Sequence, residues 1–60
     1  MKISIGDTIC ALGYCFVVGE IIYQDYNYFD GNWDVEFLDD NGGYHHWKSE
    51  FDGGYIVKGV

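Results

Sequence analysis

The sixteen residues from Trp33 to Lys48, WDVEFLDDNGGYHHWK, constrain the fold more than any other stretch of this chain. Trp33, Val35 and Phe37 alternate with Asp34 and Glu36. A period of two puts the apolar set on one face of a strand and the acids on the other. Asp39-Asp40-Asn41-Gly42-Gly43 then reverses the chain, because Asn-Gly and Gly-Gly accept the positive φ of tight hairpin turns. Tyr44 to Trp47 carries rings and neither Gly nor Pro, so it reads as the returning strand.

The other segments are short and of the same kind. Ile3-Ser4-Ile5 alternates as a short edge strand, and Gly6-Asp7 follows as a turn pair. Thr8 to Ala11 is a strand with Ile9 and Ala11 inward, turned by Leu12-Gly13-Tyr14. Phe16 to Tyr23, FVVGEIIY, is the longest β-type run. Strict alternation would place Glu20 on the face of Val18 and Ile22, so a bulge or bend at Gly19 is expected, bringing Val18 and Ile21 inward together. Gln24 to Asn32 reads as a polar-aromatic loop ended by Asp30-Gly31. Trp33–Leu38 and Tyr44–Trp47 are strands three and four, Ser49–Gly54 suits a single 3₁₀ turn, and Tyr55–Val57 is the last strand.

These elements predict an all-β fold: one domain over residues 1–60, a five-stranded SH3-like barrel with one 3₁₀ turn before the last strand. Ile9, Ala11, Val18, Ile21, Val35, Phe37, Trp47 and Val57 are expected inward. A chain this short buries only roughly 60% of its unfolded surface, so large side chains must compensate. Twelve of the 60 residues are aromatic, and each ring buries about 150–250 Å². Nine glycines and no proline suit strands joined by tight turns.

The net charge of −7, from ten acids against three lysines and no arginine, repels a phosphate backbone. Direct nucleic-acid binding is therefore not expected, and a basic protein surface or peptide fits the charge better. The same acids also serve to keep an aromatic-rich chain soluble. No apolar run approaches the roughly 20 residues of a membrane span, and MKISIGD lacks the apolar core of a secretory signal. Beginning at Met1, the chain reads as a complete small open reading frame. Cys10 and Cys15 flank Ala-Leu-Gly-Tyr, where a cross-strand disulfide is geometrically possible. Two reduced thiols in a cytoplasmic protein are the expectation, since two cysteines make neither a disulfide-rich scaffold nor a zinc site.

Gly6-Asp7-x-Ile9-x-Ala11, Gly19-Glu20-Ile21, Val35-Glu36-Phe37-x-Asp39-Asp40 and Trp47-Lys48 together resemble a Tudor-type domain over about residues 6–48. The resemblance implies a small barrel. It also implies a cage of aromatic rings that holds methylated lysine or arginine by cation–π attraction. The positions matching such a cage are roughly Leu12, Val17, Phe37 and Gly43, of which only Phe37 is aromatic, with Tyr44 one step away. The shared motifs thus speak for the barrel more than for the ligand.

Tyr23, Tyr26, Tyr28 and Phe29, interleaved with Asp25 and Asp30, form the candidate partner-binding set, joined by Tyr44 if the second hairpin flanks that loop. The alternative is that these rings fold over the mouth of the barrel and cap the core. His45 and His46 are adjacent on a strand, point to opposite faces and so do not share a metal ion. Asp39-Asp40 is accounted for by the turn. No nucleophile–base spacing, phosphate loop or HExxH pattern is present, so neither catalysis nor a cofactor or metal is expected. The expected function is a non-enzymatic acidic protein-binding module, a small stand-alone protein of a phage or other mobile element. It binds a basic partner through loop aromatics and carboxylates. The alternatives are an inhibitor of the anti-CRISPR or DNA-mimic type, which blocks the nucleic-acid channel of a host enzyme, and a structural accessory subunit. Oligomeric state is left open.

Overall fold

The computed structural model describes residues 2–59. The strands are β1 (Thr8–Ala11), β2 (Tyr14–Asn27), β3 (Asn32–Asp39), β4 (Tyr44–Lys48) and β5 (Tyr55–Val57), with one helical turn, α1 (Ser49–Asp52), between β4 and β5. They form one antiparallel five-stranded sheet in the order β4-β3-β2-β1-β5. The sheet is open: its order ends at β4 on one side and β5 on the other. The long strand β2 serves both halves, pairing β1 through Tyr14–Val17 and β3 through Val18–Asn27.

The two halves meet where β2 bends. The register against β3 shifts between Val18 and Glu20, at the glycine where the sequence calls for a bend. A Cβ on Gly19 would stand 2.6 Å from the Asp39 carbonyl oxygen, so only glycine lets β3 come this close. A second shift between Ile21 and Tyr23, not expected from the sequence, bends the strand again. Val18 is buried and Ile21 packs against the core, as alternation with a bulge requires.

The core consists of Ile3, Ile9, Val18, Trp33, Val35, Phe37 and Trp47, with Ala11, Phe16, Ile21, Tyr26 and Ile56 packed around it. Burying the three alternate residues of β3 leaves Asp34 and Glu36 on the outer face, as the period of two predicts. Ile3 enters this core without a strand. Its backbone N–H donates to Gln24 Oε1 and its carbonyl accepts from Gln24 Nε2, both at 3.0 Å, so one side chain replaces a ladder.

Five expectations are corrected. Ile3–Ile5 is not an edge strand: the chain turns there instead, the Asp7 N–H donating to the Ser4 carbonyl at 3.0 Å, and the first strand begins at Thr8. Val57 is exposed and Ile56 faces the core, because Ile56 stands opposite the buried Ile9 in the β1–β5 register. The stretch Gln24–Asn27 is strand rather than loop, since each residue pairs with one of Asn32–Val35; only Tyr28–Gly31 turns. The turn after β4 is α rather than 3₁₀: the Gly53 N–H reaches back four residues to the Ser49 carbonyl at 3.0 Å. Its first orphan donor is met by Asp52, whose carboxylate accepts from the Lys48 N–H at 3.0 Å. Finally, Cys10 and Cys15 are not free thiols. They stand directly opposite in the β1–β2 ladder and are joined as a disulfide.

The bridge removes one of the grounds for expecting a cytoplasmic location, the reduced thiols, because disulfides persist mainly in oxidising compartments. Alkylation without reductant should therefore add nothing to the protein, whose intact mass should be two hydrogens lighter than the dithiol. Two adducts under those conditions would mean that the hairpin is closed by hydrogen bonds alone. Among the described residues no helix is long and apolar enough to cross a membrane.

The ends of the chain are held together by one carboxylate. Asp7 is buried, with its side chain accepting from the Ser4 N–H at 2.9 Å, the Gly59 N–H at 2.8 Å and the Lys58 ammonium. Its own backbone carbonyl accepts from the Val18 N–H at 2.8 Å, beside the bend of β2. The hydrogen bonds from Gly59, Lys58 and Ser4 hold the carboxyl at a pKa of about 2, against an ordinary value of 3.8.

Candidate functional site

The outer face of β2–β3–β4 is a plate of rings and carboxylates. In register across the three strands, Tyr23 stands beside Glu36 and then His46, and Asp25 beside Asp34 and then Lys48. Tyr44 stands beside Leu38 one step further along. Residues opposite one another in antiparallel strands share a face, so these side chains form adjoining rows. The Tyr44 hydroxyl donates to Glu36 Oε1 at 2.6 Å, and His46 Nε2 lies 2.7 Å from Asp34 Oδ1. The field here is negative. Asp25 first, then burial, Asp34 and Glu36 raise the pKa of the Tyr23 phenol, and the hydrogen bond to Glu36 does most to raise that of Tyr44.

The structure divides the sequence-predicted binding set. Within β2 the odd residues Tyr23 and Asp25 lie on this outer plate. Tyr26 lies on the other face, its ring 4.6 Å from that of Trp33 and edge-on to Tyr28 at 4.7 Å. It thus does what the capping alternative describes, closing the core at the Trp33 end. Phe29 is fully exposed at the tip of the β2–β3 turn. Asp30 shapes that turn: its carboxylate accepts from Asn27 Nδ2 at 2.9 Å, while Asn27 Oδ1 accepts the N–H groups of Phe29 and Asp30. Tyr44 does not flank this turn. It pairs with Leu38, six strand residues from Asn32, or roughly 20 Å at the rise of a strand. Tyr44 groups instead with Tyr23, through Glu36.

A second concavity was not legible in the sequence. A cavity of about 210 Å³ opens between the β1–β2 hairpin and β4, lined by Tyr14, Phe16, Phe37, His45, Trp47 and Asp52 among others. The ladder explains the assembly, since Phe16 faces Ile9, Tyr14 faces Ala11 and His45 faces Phe37. The His45 ring lies 3.9 Å from that of Phe16 and 5.1 Å from that of Phe37. It is fixed by a 2.7 Å contact between Nε2 and Asp39 Oδ2. That contact, followed by the Gly43 N–H, lowers the pKa of Asp39. Trp47 is fixed in turn by donating from Nε1 to the Gly53 carbonyl at 2.7 Å. The signal available in the sequence was the Tyr14-Cys15-Phe16 alternation, which puts two rings on the face opposite the bridged cysteine. Rings so arranged, beside a carboxylate, suit an apolar or cationic side chain. Compared with known proteins, the chain matches no family model, no curated relative and no solved structure.

Proposed function

We propose that this chain is a non-enzymatic protein-binding module, of the small SH3-like or Tudor-like barrel kind, that takes a basic surface or peptide of a partner protein. The observation that carries this reading is the outer plate, where Tyr23 and Tyr44 stand among Asp25, Asp34 and Glu36. Rings supply the contact area that becomes energetically decisive once water is excluded, and rim carboxylates steer a cationic partner inward. The barrel assignment rests on the short Tudor-like motifs and on the bend of β2 at Gly19. The aromatic cavity on the opposite face of β4 offers a recess for one side chain of the same partner.

An oligolysine peptide serves as the probe, titrated calorimetrically. Raising salt from about 0.05 to about 0.5 M shortens the screening length from about 14 Å to about 4 Å, and should weaken binding. Tyr23→Ala should reduce affinity roughly ten-fold, and Asp25→Asn by less, mainly through a slower association. Binding that ignores salt and tolerates alanine at both Tyr23 and Tyr44 would exclude this plate as the interface.

A further inference from the structure

The β1–β2 hairpin carries the aromatic cavity on one face and the disulfide on the other. Tyr14 and Phe16 line the cavity, and Cys10 and Cys15 lie back to back with it. The two strands are held unequally. β1 pairs on both sides, with β2 through Thr8–Ala11 and with β5 through Thr8–Cys10. The Tyr14–Val17 part of β2 pairs with β1 alone, since pairing with β3 begins at Val18. Beyond the bridge one rung remains, Ala11 opposite Tyr14, and Leu12 and Tyr14 are 74% and 68% exposed. The turn itself is unfavourable. Leu12 and Gly13 have φ of 54° and 83°, the two positive values of a tight hairpin turn that Asn-Gly fills without strain. Leu12 is the one non-glycine residue of positive φ among the described residues, and its Cβ is crowded in that conformation.

We propose that the Cys10–Cys15 bridge is a redox latch on the aromatic cavity: a dithiol opens it, the Leu12-Gly13 turn relaxes, and the Tyr14–Phe16 wall comes away. The bridge is within reach of a reductant. A recess of about 290 Å³ lined by Cys10, Cys15, Gly54 and Tyr55 among others opens on to it. Cys15 is exposed and Cys10 is buried, so the incoming thiolate attacks the Cys15 sulfur. The Cys10 thiolate leaves and takes up a proton. The second thiol of the reductant then attacks the mixed disulfide and frees the Cys15 thiolate, which is protonated in turn. Two electrons and two protons pass to the chain, and the reductant departs as its own disulfide. While closed, the bridge restricts the open forms of the hairpin and so offsets the left-handed Leu12. Once it is cut, the single rung beyond it holds that strain alone. The motion hinges at Val18, which is buried and whose N–H donates to the Asp7 carbonyl at 2.8 Å. Its effect reaches β4 because the Phe16 ring lies 3.9 Å from that of His45.

Dithiothreitol tests this on the unsubstituted protein, followed by nuclear magnetic resonance. On reduction, amide exchange at Ala11 and Tyr14 should speed up at least about ten-fold, while that of β3 and β4 stays within about two-fold. The ring-proton shifts of His45 should move towards those of an unstacked imidazole, and those of His46, on the outer plate, should stay still. Leu12→Asn accepts the left-handed φ, so it should keep the tip closed even after reduction. None of these readouts uses a partner, so they stand apart from oligolysine binding at the acidic plate. Unchanged Ala11 and Tyr14 amides and an unchanged His45 ring in a chain whose two thiols have become alkylatable would overturn the proposal. Loss of every protected amide together would overturn it too, making the bridge a staple of the whole fold. So would a reduced Leu12→Asn variant as open as the reduced natural chain.

Discussion

Replacing Asp7 with alanine should destabilise the protein by about 3 kcal/mol, because it strips three donors of their acceptor in one step. Ser4 and Gly59 would keep N–H groups pointed into a site that Asp7 fills at 3% exposure. Lys58 is half-exposed and turns to water more easily, which is why the lower end of the range for a broken buried pair applies. A domain of this length has about 3–9 kcal/mol in total at ordinary stabilities per residue, so the loss is a large share. Denaturant melts measure it directly. The pH dependence supplies an independent check. The folded carboxyl, at about 2, lies below its ordinary 3.8, so on unfolding at acid pH it takes up a proton. Its contribution is fully present above about pH 4 and is lost as pH falls through about 2. The stability gap between the natural protein and Asp7→Ala should narrow over that window. A gap of constant size down to pH 2 would mean that packing alone, and not the charge, accounts for the effect.

Phe37→Ala should cost roughly 3–5 kcal/mol, the range for truncating a large buried ring. Phe37 is 1% exposed, pairs with Ile21 on one side and His45 on the other, and shares the core with Val35 and Trp47. Its ring also forms a wall of the 210 Å³ cavity, so truncation enlarges that recess as well as emptying the core. Thermal melts followed by near-ultraviolet circular dichroism should show a fall large enough to leave the variant partly unfolded at ambient temperature. A variant that melts where the natural protein does would contradict the register of β3.

What the sequence conveys about the candidate site is limited by parity. A loop reading places Tyr23, Asp25, Tyr26 and Tyr28 together. Once the ladder carries β2 on to Asn27, alternation sends Tyr23 and Asp25 to the acidic plate and Tyr26 to the core beside Trp33. Nothing local signals the extension. Gln24 to Asn27 is polar enough to pass for loop, and it becomes strand because Asn32 to Val35 stands opposite it. The cavity was hidden for a related reason: its walls come from β1, β2, β3 and β4, and only the folded register brings them together.

The features that residue order determined by itself are those encoded between neighbours. The alternation in Trp33–Phe37 decides which face of β3 is buried, and the Asn-Gly-Gly segment decides where the chain turns. The conflict between Gly19-Glu20 and the apolar pattern around it decides that β2 must shift register there. Tertiary structure decided what depends on partners distant in sequence. Tyr55, Ile56 and Val57 are all apolar, so no local pattern selects the inward one; pairing with Ile9 does. Two thiols five residues apart suit a free or a bridged state equally, and direct opposition in the ladder brings them to bonding distance. Gly6-Asp7 looks like any turn, yet Asp7 becomes the buried clasp of the fold because its acceptors find donors at Lys58 and Gly59, 51 and 52 residues away. Such contacts form only when the whole sheet has closed the distance between the chain ends, and no sequence window short enough to read by eye contains both partners.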